Sequence, residues 1–147
     1  MDGEVDMIDG VPLISSLAEL EALLEQDANL YVRYSEGYDA DRNGGSLDTE
    51  SGLELPGLSV NPLHPEPWWT RPAADWLARQ LCQYKQLQDK NPDRFAWVLR
   101  GQCVGRGPDC EPLMVHVVPV ARLAQPLLAE AERVYHQRFD VGQGPED

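Results

Sequence analysis

Apolar and polar positions alternate along this chain with two clear periods. Leu17, Leu20, Leu23 and Leu24 recur at helical spacing behind Ser16 and Glu19, a hydroxyl followed three residues later by a carboxylate. That is a capping box opening a helix, and the pattern predicts one running to about Gln26. Asp27-Ala28-Asn29 breaks it. Residues 30–34 then switch to period two, with Leu30, Val32 and Tyr34 on one face of a strand and Tyr31 and Arg33 on the other. Residues 35–55 carry glycines, aspartates and serines without periodicity and read as a long loop. Residues 57–61 form a short strand ended by Pro62. A second helix follows, with Thr70 or Arg71 at the N-cap and Pro72 in the first turn, where its missing N–H costs nothing. Its apolar stripe is Ala73, Trp76, Leu77, Leu81 and Tyr84. Residues 95–99 and 114–118 are apolar enough to be central strands, with GQCVGRGPDCE as a glycine-rich connection between them. Pro126 opens a last helix that buries Leu127, Leu128, Ala131, Val134 and Tyr135.

This order predicts an α+β fold. The expected architecture is a single domain with a small mixed sheet of about four strands and three helices. Residues 1–10 read as a disordered acidic N-terminus, 11–139 as the domain and 140–147 as a flexible tail. At 147 residues the chain suits one domain with a core of its own.

Between Ser51 and Tyr84 the chain gathers prolines 56, 62, 65, 67 and 72 and tryptophans 68, 69 and 76. Proline stiffens the backbone before folding, and tryptophan needs a solid surface to pack on. The segment therefore reads as a built wall rather than a linker.

The net charge of −13 lies wholly in the first half. Residues 1–70 hold fifteen acids against Arg33 and Arg42, whereas residues 71–147 balance at ten of each sign. Such a face keeps a protein soluble or docks a basic partner. Direct nucleic-acid binding is not expected, because phosphate contacts need clustered Lys and Arg and the chain has two lysines. The acidic opening lacks the basic n-region of a secretion signal and no apolar run reaches membrane-spanning length, so a cytoplasmic protein with no membrane contact is expected. Cysteines 82, 103 and 110 are an odd set with no CxxC pair, and the three histidines are scattered, so neither a disulfide framework nor a metal site is expected. Asp39, Asp41 and Asp48 faintly follow a calcium-loop order, without the flanking helices such a loop requires.

Three residues are candidates for chemistry. Arg33 is either the exposed side of an edge strand or a buried fork donor for a carboxylate or phosphate. Ser59 points away from Leu58 and Val60, onto a solvated sheet face or into a site. Glu111 follows a glycine-rich turn at the mouth of a strand, as a loop anchor or a reactive carboxylate. Tyr31, Trp68 and Trp69 are the candidate ligand-binding aromatics.

The strings LYVRYS, ESGLELPGLSVNPLHPEPWW and GRGPDCEP resemble a family of uncharacterised actinobacterial proteins across residues 12–135. That resemblance implies a single domain in a bacterial cytosol. The order of Arg33 on an early strand, Ser59 on a following strand and Glu111 at the start of a later one is similar to ADP-ribosyltransferase-like enzymes. The resemblance implies NAD as ligand, with Arg33 on its phosphate or ribose and Ser59 on the nicotinamide ribose. Glu111 would stabilise an oxocarbenium-like transition state. Ser59 stands outside any Ser-Thr-Ser run, and Asp109 occupies the place of the usual Glu or Gln. Two classes of function follow. One is a protein with a polar pocket for a small molecule, walled by the tryptophan segment. The other is an acidic interaction module that docks a basic partner through its N-terminal half and the Pro/Trp segment. The oligomeric state is not legible.

Overall fold

A computed structural model of the chain describes residues 7–8, 10–27, 29–41, 46–48 and 50–139. In chain order the strands are β1 (Met7–Ile8), β2 (Val11–Ile14), β3 (Tyr31–Ser35), β4 (Leu58–Ser59), β5 (Asn61–Pro62), β6 (Phe95–Arg106) and β7 (Pro112–Leu123). The helices are α1 (Leu17–Gln26), α2 (Tyr38–Asp41), α3 (Ala73–Leu81), α4 (Tyr84–Lys90) and α5 (Gln125–Phe139). The fold is α+β, with a mixed sheet in the order β1-β2-β7-β6-β3-β5 and β4 beside β7. β2 runs parallel to β7, and the other pairings are antiparallel.

The expected helices form for the expected reasons. Ser16 caps α1 by accepting from the Glu19 N–H at 3.1 Å, and the Glu19 carboxylate reaches back to the Ser15 N–H at 2.8 Å. The second helix divides into α3 and α4 at Cys82 and Gln83, which keep right-handed helical dihedrals. Pro72, rather than Thr70 or Arg71, is its N-cap. The Arg71 side chain instead ties α3 to α5, donating to Asp75 Oδ2 at 3.1 Å and to the Arg138 carbonyl at 3.1 Å.

Three expectations need correction. The sheet has seven strands where about four were expected: β1 and β2 precede the first expected strand, and the expected strand at 57–61 divides into β4, which pairs with β7, and β5, which pairs with β3. Met7 and Ile8 pair with Pro12 and Val11, so strand order begins inside the segment expected to be disordered. Residues 1–6 and the expected tail at 140–147 lie outside the described residues. Most of the expected connection at 101–111 is strand, and only 107–111 turns. Gly101 misled the reading: it is a close approach, where a Cβ would lie 2.8 Å from the Val115 carbonyl oxygen across the hairpin.

The β6–β7 hairpin is the spine. Its base carries β3 on one side and β2 on the other. One face of this base packs Val32, Ala96, Val98, Ala121 and Leu123 against Leu20, Leu77, Leu81, Leu127 and Leu128 of the helices, all buried. Residues between those, Trp97 and Leu99, turn to the other face and join Val60 and Met114 in a second cluster with Tyr31, Tyr38, Phe95 and Val117. The segment 58–62 crosses between the two margins of this unit. It pairs with β7 through Leu58 and Ser59, and with β3 through Asn61 and Pro62. This crossing brings β3 and the turn of the hairpin to one place.

The tryptophan segment braces the crossing. Trp76 is buried and donates its indole N–H to the Pro62 carbonyl at 3.2 Å. Trp69 packs edge-on against it with ring centroids 5.1 Å apart, and Trp68 stands outermost, 65% exposed. No helix among the described residues is long and apolar enough to cross a membrane.

Candidate functional site

Arg33 is neither an exposed edge residue nor an open anion donor. Its Nε donates to Asp41 Oδ2 at 2.7 Å, and Nη1 donates to Ser46 Oγ at 3.0 Å and to the Ser59 carbonyl at 2.9 Å. Asp41 is itself pinned by Ser35, whose hydroxyl donates to Oδ2 while accepting from the Gly37 N–H and the Trp97 indole N–H. Ser46 Oγ also accepts from the Ser59 N–H at 2.8 Å. The guanidinium therefore staples β3, α2 and β4 together. Part-buried ion pairs of this kind persist when both partners have further hydrogen bonds, as these do.

Ser59 is the meeting point. Its backbone is held by Ser46 and Arg33, and its hydroxyl donates to Glu111 Oε2 at 3.0 Å. Glu111 curls back over its own turn, where Oε1 accepts from the Asp109 N–H at 2.9 Å. Two backbone features permit that curl. Cys110 adopts a left-handed φ of 63°, and a Cβ on Gly107 would overlap the Glu111 carboxylate. The carboxylate is thus positioned by a hydroxyl, an amide and a glycine.

These side chains border a solvent-open cavity of about 540 Å³. Arg33, Ser59 and Glu111 form one wall together with Arg106 and Asp109, while Trp68, Trp76, Arg79, Gln80 and Tyr84 form the other. The volume lies within the range of small-molecule sites, and the mix of aromatic faces with a few placed polar groups is typical of them. Tyr84 stacks parallel on Tyr34 at 5.5 Å and accepts from Asn61 Nδ2 at 3.1 Å. Burial pushes the Tyr84 phenol above its ordinary value, against the opposing pull of the Asn61 hydrogen bond. Tyr34 is raised by burial as well, and its hydroxyl is buried with no hydrogen-bond partner among the described residues.

The structure thus brings Arg33, Ser59, Glu111 and Trp68 to one cavity. Tyr31 and Trp69 are elsewhere: Tyr31 packs on the second cluster beneath the sheet, and Trp69 packs on the helical core. Sequence reading missed Asp41, Ser46, Gly107, Arg79 and Arg106. Asp41 had drawn attention as a calcium-loop residue, and its actual partner is Arg33. Asp48 closes its own turn instead, accepting from the Glu50 N–H and the Ser51 hydroxyl, and these hold its carboxyl below the usual range. Residues 42–45 of that loop lie outside the described residues. Among the described residues no three His, Cys, Asp or Glu are grouped to hold a metal ion.

Fold and site together define a small α+β protein with a polar, partly aromatic cavity at a strand crossing. The chain belongs to a family of unknown function, DUF6098, whose model spans residues 7–145. No curated protein and no solved structure matches it.

Proposed function

We propose that this cavity binds a nucleotide-type small molecule, and that its chemistry is cleavage of the N-glycosidic bond of NAD. The observation that carries the reading is the Ser59–Glu111 pair, 3.0 Å apart on the cavity wall and backed by Arg33. In NAD the N-glycosidic bond would break with its electron pair leaving on nicotinamide, the ribose would pass through positive charge, and water would add to that carbon and lose a proton to give ADP-ribose. A carboxylate fixed before reaction stabilises such charge without reorganising. Glu111 is the residue for that role, since Ser59 and the Asp109 amide already hold its two oxygens in place. Ser59 positions Glu111, and Arg33 positions Ser59 through its carbonyl. The exposed Trp68 ring on the cavity wall suits a planar ring.

The test is nicotinamide release from NAD by the full chain. We expect turnover that Glu111→Gln lowers by about 100-fold, the scale lost when one transition-state electrostatic contact is removed. Unchanged turnover in that variant would overturn the assignment of Glu111. No binding of any nucleotide would overturn the whole reading.

A second reading rests on surface chemistry. Trp68, Leu47 and Leu53 are 65%, 61% and 68% exposed in the acidic half of the chain. Exposed large apolar residues mark contact surfaces, which favours docking of a basic protein. Leu47→Ala with Leu53→Ala, both outside the lining of the nucleotide cavity, would then weaken partner capture without changing nucleotide affinity.

A further inference from the structure

In the nucleotide reading, on which this inference rests, an anion must be held somewhere in the cavity. The strand arginine is the obvious choice by resemblance, and the geometry argues against it. Arg33 spends Nε on Asp41 and Nη1 on Ser46 and Ser59, its side chain is 16% exposed, and its charge is matched by a carboxylate at 2.7 Å. A phosphate arriving there would have to compete with Asp41 and would meet a neutral pair.

Two other guanidinium groups border the same cavity. Arg79, on α3, lies 5.3 Å over the Trp76 ring and donates Nη1 to Gln80 Oε1 at 3.0 Å. Arg106, at the end of β6, donates Nη1 to the Cys110 carbonyl at 3.2 Å. Both are exposed, and among the described residues neither forms an ion pair. Glu66, Asp109 and Glu111 also border the cavity, and Asp109 and Glu111 lie on the turn that Arg106 enters. None of these carboxylates is ion-paired with Arg79 or Arg106, so an anion gains more beside those two guanidiniums than beside the paired Arg33. Guanidinium forks suit phosphate oxygens, and a ring-stacked arginine keeps its edge free for them.

We infer that Arg79 and Arg106 are the anion-holding residues of this cavity, and that its ligand class is a phosphorylated nucleoside whose base rests on the exposed Trp68 ring. Arg33 is a structural staple that leaves the ligand's charge untouched.

Equilibrium binding of AMP and of adenosine to the full chain, at low and high salt, tests this. AMP should bind the wild type at least about tenfold tighter than adenosine, the worth of one charge-assisted hydrogen bond. Arg79→Ala and Arg106→Ala should each remove most of that gain and flatten its salt dependence. Adenosine affinity and melting temperature should stay unchanged in both. Arg33→Lys should lower the melting temperature, and AMP should still outbind adenosine by the wild-type ratio. Equal affinity for AMP and adenosine would overturn the inference while leaving the cavity a nucleoside site. So would an AMP preference that survives both alanine variants, or one that Arg33→Lys abolishes at unchanged melting temperature. Binding of neither compound would overturn the nucleotide reading and this inference together.

Discussion

The β6–β7 hairpin is built from different materials at its two ends. At the base, Ala96, Val98, Ala121 and Leu123 are sealed beneath α1, α3 and α5, and position is set by side-chain packing. At the turn, residues 106 and 108–110 are exposed, and position is set by hydrogen bonds to Glu111 and Ser59. Packing is collective, and a core residue is held by many weak contacts at once. The turn depends on a few polar contacts, each of which one substitution can remove. The base should therefore govern stability, and the turn should govern the cavity.

The largest expected effect lies at the base. Leu128→Ala, at a fully buried position, should cost about 2–5 kcal/mol of unfolding free energy through lost contacts and an unfilled cavity. Chemical denaturation would measure it. A destabilised but folded Leu128→Ala protein should bind nucleotide with wild-type affinity. Coupled losses in both would show that base and turn are one unit.

Gly107→Ala reverses the pattern. Its Cβ collides with the Glu111 carboxylate, so the side chain must swing off Ser59 and the Asp109 amide. Overpacking of this kind costs about 1–3 kcal/mol where the surroundings cannot yield, and less at an open turn. Nucleotide turnover should fall much further than stability does, with kcat rather than KM carrying the loss. Turnover equal to wild type would mean that the curl of Glu111 is incidental.

How much of this was legible in the sequence follows the same division. The capping box at Ser16 and Glu19 and the alternation through Val32 and Tyr34 read directly, because both are local patterns with one physical solution. β4 and β5 did not read as separate strands, since their pairing depends on β7 and β3, distant in the chain. Arg33, Ser59 and Glu111 could be named as candidates, yet the role of Arg33 could not be chosen. Its partner Asp41 sits in a loop without periodicity, and only the fold puts the two 2.7 Å apart. Arg79 lies off the apolar stripe of its helix and faces outward. That the outward side borders a cavity depends on where Trp68 and the hairpin turn come to rest.

The smallest effect expected is at Tyr84, where the two regions meet. Tyr84→Phe removes the hydroxyl that accepts from Asn61 and should cost about 0.5–1.5 kcal/mol at neutral pH. The pH dependence sharpens the point. The folded phenol titrates above its ordinary value of 10.0, so the unfolded chain releases that proton first. Tyr84 thus holds its stabilising contribution in full below about pH 10 and loses it as pH climbs toward the folded value. Denaturation across the pH range that brackets the ordinary value of 10.0 should show a decline that Tyr84→Phe makes shallower. Equal slopes in the two proteins would show that this phenol is no more protected folded than unfolded.

The central claim is that the cavity at Ser59 and Glu111 is a nucleotide site, and an NMR titration of the labelled full chain with NAD tests it most directly. The account predicts saturable shifts at the amides of Ser59, Asn61, Asp109 and Glu111 and at the Trp68 and Trp76 indoles, with the helical core at Leu20 and Leu128 unmoved. Saturable shifts confined to other surfaces, or none at all, would contradict it.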